Sequence, residues 1–184
     1  MFFFLSLLAC KPESKTPAPI YIQEGSPIAG VAEGAIDVPV GAPLAGYSNR
    51  CTYLGGSGKV DRRKNHYAEA FSPSAGIQTS VMAEALWLEN GDQQFALLNI
   101  DAIYSFDEMV KEVERQVEAA TGINMSGKIV ISASHTHQAP ANYSDQIHFY
   151  LGGDRYNEEI FQRYTFSLVE LILEAYENRE AAKI

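Results

Sequence analysis

Val81-Met82-Ala83-Glu84-Ala85-Leu86-Trp87-Leu88-Glu89-Asn90-Gly91-Asp92-Gln93-Gln94-Phe95-Ala96-Leu97-Leu98-Asn99-Ile100-Asp101 holds two apolar runs rich in strand formers. The runs are Val81 to Glu89 and Gln94 to Ile100, and Asn90-Gly91 lies between them as a strong short-range hairpin signal. A helix follows: Ser105 is a good N-cap, and Glu108 three residues later completes a capping box. Met109, Val113, Val117 and Ala120 recur at three or four residues and make one apolar face, with charged residues opposite. Gly122 supplies the stop, and Lys128 to Ala133 forms the next strand. A strand, a helix and a strand in that order build a parallel pair with a right-handed crossover. The fold class is therefore α/β, a mixed sheet with a β-hairpin and a strand-helix-strand unit.

Parallel strands deliver their C-terminal ends to one edge of a sheet, where open α/β folds bind ligands. Asp101 ends one strand, and Ser134-His135-Thr136-His137-Gln138-Ala139-Pro140 leaves the other. On an extended backbone the His-x-His spacing puts both imidazoles on one side. Two neutral nitrogens aimed at one point suit a metal, zinc well among them, although two ligands do not complete a tetrahedral site. The plain alternative is a pair of histidines that solvate a strand end. Asp101 either orients a histidine through its second ring nitrogen or bonds local backbone amides at the helix entry.

The rest of the chain frames this edge. Its 184 residues, with ten tyrosines and nine phenylalanines, suffice for a domain with a sizeable core. A net charge of −9 argues against nucleic acid as a partner. No segment reaches the roughly 20 apolar residues that a spanning helix requires. Met1 to Ala9 reads as a shortened secretory signal without its positive leader, so either the true start lies upstream or the stretch is not a signal. Leu7-Leu8-Ala9-Cys10 is similar to a bacterial lipoprotein processing box with Cys10 as the lipidated residue. Residues 10–27, polar and proline-rich, read as a tether. That places the protein in a bacterial envelope, lipid-anchored or secreted. Cys51 is then left without a partner and is expected to be buried or half-buried.

Ile28 to Val38 is a first strand, and Ser48 to Ser74 a long polar loop with Gly55-Gly56-Ser57-Gly58 and the basic cluster Lys59, Arg62, Arg63 and Lys64. That cluster is either a solvated loop or a rim that attracts an anionic substrate or headgroup. His66 has no evident partner, and His148, in the polar and aromatic loop Ala141 to Tyr156, reads as a surface histidine. Asn157 to Lys183 reads as a closing helix whose stripe Ile160, Phe161, Tyr164, Leu168, Leu171, Ile172 and Ala175 faces the core.

Gly30 to Pro39, Pro43-Leu44-Ala45-Gly46-Tyr47, the hairpin ending Leu98-Asn99-Ile100-Asp101, and Ile129 to Pro140 resemble, in order and spacing, the start of the neutral/alkaline non-lysosomal ceramidases. The segment around His135 and His137 is the most specific part, with Gln138 and Ala139 where the family usually has Ser and Gly. The resemblance implies a zinc-dependent amide hydrolase that cleaves N-acylsphingosine. It implies that His135 is a zinc ligand and that His137 lines the site against substrate or product. The family's other ligands, a histidine, a glutamate and a tyrosine, lie well downstream of the signature. The 44 residues after Pro140 (184 less 140) carry no matching motif, so residues 28–184 are expected to form the N-terminal part of a larger catalytic domain. Two other readings stay open: a hydrolase of another amide or ester on the same scaffold, and a non-catalytic, lipid-anchored envelope binding module.

Overall fold

The computed structural model describes residues 27–44, 46–51 and 66–183. Alternation of apolar and polar side chains sets the sheet: β1 (Ile28–Ala35), β2 (Met82–Asn90), β3 (Gln93–Ile100), β4 (Ile129–Ala133) and β5 (Glu180–Ala181). Their order is β4-β3-β2-β1-β5. β3 and β4 run parallel, Leu98 opposite Ile131, and the other neighbours run antiparallel. Helix α1 (Asp107–Thr121) makes the crossover from β3 to β4. The short α2 (Ile147–Gly153) and the long α3 (Glu158–Glu177) follow.

One face of the sheet presents Ala83, Ala85, Trp87, Ala96, Leu98, Ile100, Ile129 and Ile131, all buried. α1 covers it with Met109, Val113 and Val117, and α3 with Ile160, Tyr164, Leu168, Leu171 and Ile172. The small residues Ala83, Ala85 and Ala96 let α3 come close, and Gly30 takes this furthest: a Cβ there would lie 1.9 Å from the Ala175 carbonyl oxygen. Trp87 fills the centre, fully buried, its indole N–H donating to Glu89 at 2.7 Å. Arg179 pairs with the same carboxylate at 3.0 Å, so the buried polar tip is satisfied. The opposite face leaves Val31, Leu97 and Val130 exposed.

The architecture is the expected one, and several local details differ. The hairpin turn is centred one residue later than Asn90-Gly91: Asn90 pairs with Gln93, which leaves Gly91 and Asp92 in the loop. Only Gly91 of the two has a positive φ, +61°, the pattern of a type II′ turn with glycine first. The capping box of Ser105 and Glu108 does not form. Phe106 is the N-cap, without a side-chain cap bond, because the Ser105 hydroxyl donates to the Ile131 carbonyl at 2.7 Å. Gly122 stops α1 as read, in the left-handed region at φ +73°.

The Ala141 to Tyr156 loop contains α2, and exposed His148 lies on it. The closing helix does not run to Lys183. It ends at Glu177 with Asn178 as C-cap, and the chain then adds β5 beside β1. The stripe on α3 is core as expected, with Phe161 only partly buried. Asn157 caps this helix, its side chain accepting from the Ile160 amide at 3.2 Å. Cys51 is buried at 1% exposure. His66 does have a partner, Glu159, at 3.3 Å on the surface. Cys10, the residues of the tether before Pro27, the glycine run and the basic cluster fall outside the described residues. Among the described residues no helix is long and apolar enough to cross a membrane.

Candidate functional site

β3 and β4 end side by side, and the site grows from that edge. Ser134 donates its amide to the Ile100 carbonyl at 3.0 Å, which keeps the two strand exits together. Asp101 accepts the Ser134 hydroxyl on one carboxylate oxygen at 3.1 Å and the Met82 amide on the other at 3.3 Å. Among the described residues no histidine bonds to it. Orienting one through its second nitrogen falls instead to a main-chain group: Nδ1 of His135 lies 2.7 Å from the Ile103 carbonyl oxygen. A carbonyl can only accept, so Nδ1 carries the proton, and Nε2 of the neutral ring keeps its lone pair. His135 is exposed, so that lone pair is open to a ligand.

The two imidazoles do come together, by a different route from the extended spacing. β4 ends at Ala133, and His135 has φ +60°, in the left-handed region. The rings meet edge to face with centroids 5.2 Å apart. His137 is set from its far side by the segment between β1 and β2. The Tyr47 ring lies 4.7 Å from it, and Arg50 donates to the His137 carbonyl oxygen at 3.0 Å while its guanidinium rests over the Tyr47 ring. Gly46, at φ +84°, comes so close that a Cβ would lie 2.1 Å from Nδ1 of His137. That Nδ1 is buried and finds no hydrogen-bond partner among the described residues. A buried nitrogen left without a partner is costly in a purely structural histidine.

Three tyrosines tie down the chain that follows the histidines. Tyr104 donates to the Ala141 carbonyl at 2.7 Å, Tyr143 to the Tyr104 carbonyl at 2.8 Å, and Tyr164 to the Pro140 carbonyl at 3.3 Å. Burial pushes all three hydroxyls well above the usual tyrosine pKa, so they remain donors and hold the chain just after His137. Gly46, Tyr47, Arg50 and Ile103 carry roles that the sequence reading did not assign. Gly46 and Tyr47 lay inside the segment that carried the family resemblance, whereas a main-chain carbonyl such as that of Ile103 has no signature at all.

The arrangement fits one histidine ligand to a metal, since ligating histidines ordinarily donate their other N–H to a carboxylate or carbonyl. It does not by itself make a closed site: among the described residues no three His, Cys, Asp or Glu side chains gather to hold an ion.

Comparison with known proteins bears on the family and the fold. The family model for the N-terminal part of neutral/alkaline non-lysosomal ceramidases matches residues 59–184. The solved structure of a neutral ceramidase from Pseudomonas aeruginosa shares the fold with a TM-score of 0.67 at 18% identity, over 85% of this chain and 22% of that one. A ceramidase complexed with C2 gives a TM-score of 0.65 at 18% identity, with the same two coverages. The chain thus spans about a fifth of the length of these solved proteins. No curated protein matches it. With more than half of its residues inside the family model, the chain belongs to the neutral/alkaline non-lysosomal ceramidase family, whose N-terminal part it represents.

Proposed function

We propose that this chain supplies a zinc ligand, His135, and a substrate-facing imidazole, His137, to an amide hydrolase that cleaves N-acylsphingosine into a sphingoid base and a fatty acid. Membership of the family supports the reaction class. The observation that carries the site assignment is the 2.7 Å bond from Nδ1 of His135 to the Ile103 carbonyl, which leaves Nε2 of the neutral ring as the lone-pair donor. The chemistry zinc supplies when bound is Lewis acidity, which polarises an amide carbonyl and acidifies water. His135 fixes the direction of approach, because its ring is held from behind. His137, edge-on to His135 at 5.2 Å, is placed to donate to the oxygen of a carbonyl held there or to pass a proton to the leaving amine. Asp101 supports the pair by anchoring Ser134, the residue before His135. Lipidation at Cys10 would hold the enzyme at an envelope membrane, where a substrate with a long acyl chain resides.

The test is metal content. In the full-length protein His135→Ala is expected to lower bound zinc from about one per chain to a small fraction, because losing one of a few ligands removes much of the binding energy. His137→Ala is expected to keep the zinc and to lose about 10²- to 10⁴-fold in turnover. Stoichiometric zinc in purified His135→Ala protein would refute the ligand assignment. Hydrolysis of simple esters with none of N-acylsphingosine would move the substrate to another amide or ester, a direction that Gln138 and Ala139 in the signature leave open.

A further inference from the structure

Asp154 stands at the end of α2 in a conformation that residues other than glycine avoid, φ 80° and ψ 178°. It is 1% exposed, and a buried carboxylate is expensive unless its lone pairs are filled. They are filled by main-chain amides alone. Oδ1 accepts from Ala70 at 2.9 Å and Arg155 at 2.7 Å, and Oδ2 from Glu69 at 2.8 Å and Phe71 at 2.9 Å. Strain and a buried charge at one residue indicate that the surrounding structure is organised around it.

The segment that this carboxylate grips is the outer support of His137. Phe71 bridges to Cys51, the Ser72 amide donates to the Arg50 carbonyl at 3.1 Å, and Pro73 bridges to Pro43. Residues 46–51 therefore lie on the strip that Asp154 holds, and they carry Gly46, Tyr47 and Arg50, the three groups against His137. The α2 end closes the same loop from below: the Gly46 amide donates to the Gly152 carbonyl at 2.8 Å, two residues before Asp154. Gly153 lies against Ala141, where a Cβ would come 2.7 Å from the carbonyl oxygen. His135 is outside this chain of contacts, since its ring is fixed by Ile103 on the β3 side.

We propose that Asp154 is a positioning residue for His137: its carboxylate locks the 69–73 strip, which in turn sets the Gly46, Tyr47 and Arg50 wall against the imidazole. This rests on the reading of His137 as the substrate-facing group. The experiment separates the two. In the full-length protein with isotope-labelled histidine, the His137 resonance is assigned by its loss in His137→Gln. Its displacement by the neighbouring Tyr47 ring is measured as the change in Tyr47→Leu. Asp154→Gly relieves the backbone strain while removing the carboxylate, and Asp154→Asn keeps one acceptor oxygen but turns an NH2 toward amide donors.

The expected result is that Asp154→Gly moves the His137 signal most of the way to its Tyr47→Leu position, while the His135 signal, whose ring meets that of His137 edge to face, moves no further than it does in Tyr47→Leu. Asp154→Asn should move it part of the way. On the amide substrate, kcat should fall about tenfold or more with KM little changed, as misplacement of a reacting group predicts. An unmoved His137 signal in both variants overturns the proposal. So does a His135 shift beyond the one seen in Tyr47→Leu, which would mark Asp154 as a general staple of the fold. Should the parent protein show no amidase turnover, the proposed function fails, and the two histidine signals still decide the role of Asp154.

Discussion

Gly46→Ala tests the placement of His137 with one methyl group. The substitution acts twice. Gly46 has φ +84°, and an L-residue in the left-handed region costs about 1–2 kcal/mol. The added Cβ would also lie 2.1 Å from Nδ1 of His137, where ordinary contact begins at 3.4 Å, so the ring must retreat by about 1.3 Å (3.4 less 2.1). It cannot retreat evenly, because Arg50 holds the His137 carbonyl and the Tyr47 ring flanks the imidazole at 4.7 Å. The ring has to swing about its own side-chain bonds, out of its edge-on approach to His135. A displacement of about 1 Å at a reacting group costs on the order of 10² in rate, or roughly 2.7 kcal/mol of barrier.

The expected outcome in the full-length enzyme is a kcat lowered about 100-fold and zinc content unchanged, since His135 is held independently by Ile103. Thermal stability should fall by only a few degrees, since the shift per kcal/mol shrinks as the folding unit grows. Steady-state kinetics on an N-acylsphingosine, metal analysis and a melting curve read the three quantities. A folded Gly46→Ala enzyme that keeps kcat within about twofold would refute the argument that the Gly46 wall positions His137.

Two further outcomes concern stability. Tyr104, Tyr143 and Tyr164 hold their protons far more tightly when folded than at the ordinary value of 10.0. Their contribution is therefore complete below pH 10 and is lost above it, as the unfolded chain ionises first. Each should remove about 1 kcal/mol between pH 10 and 11, about 3 kcal/mol for the three. Urea midpoints across that range should fall steeply, and Tyr164→Phe should reduce the loss by about 1 kcal/mol; an unchanged slope in that variant would contradict the reading. In the core, Gly30→Ala places a Cβ 1.9 Å from the Ala175 carbonyl and 2.8 Å from the Arg179 amide nitrogen. Both are backbone atoms that cannot step aside, so β1 and α3 must part, and a loss of about 3 kcal/mol or more is expected by denaturant titration. A loss below about 1 kcal/mol would mean that the two elements slide past each other freely.

The parts of the fold that could be read in advance are those encoded within one window of sequence. The hairpin announces itself through Gly91 between two strand-forming runs, and α1 through its 3.6-residue stripe and the left-handed stop at Gly122. The features that escaped depend on partners far along the chain. Ser105 satisfies every local rule for an N-cap, yet its hydroxyl goes to Ile131, 26 residues away. The end of α3 escaped because Asn178 closes the helix without the glycine that normally marks a stop, and the turn leads into β5, whose meaning exists only beside β1. The place of β1 between β2 and β5 likewise rests on the close approach at Gly30, which a reader of the sequence sees only as one glycine among several.

The site divides in the same way, and the division follows from chemistry. Candidate reacting groups must be side chains with titratable or ligating atoms, which is why a reading of the sequence can name His135, His137 and Asp101 as candidates. Groups that hold them in place need only shape or a main-chain oxygen. Ile103 orients His135 through its carbonyl, an atom that every residue possesses, and Gly46 shapes the space around His137 by having no side chain. The left-handed φ of +60° at His135 belongs to this second class. A histidine there costs about 1–2 kcal/mol relative to an extended residue, and the bond from Nδ1 to Ile103 together with the Ser134 link to Asp101 offsets it. The extended reading of His-x-His put two rings on one side of a strand, aimed at one point, and left their tautomers open. The strained turn brings the same two rings to 5.2 Å with one of them fixed in tautomer and direction. That fixed lone pair is what a metal ligand requires and what spacing alone cannot specify.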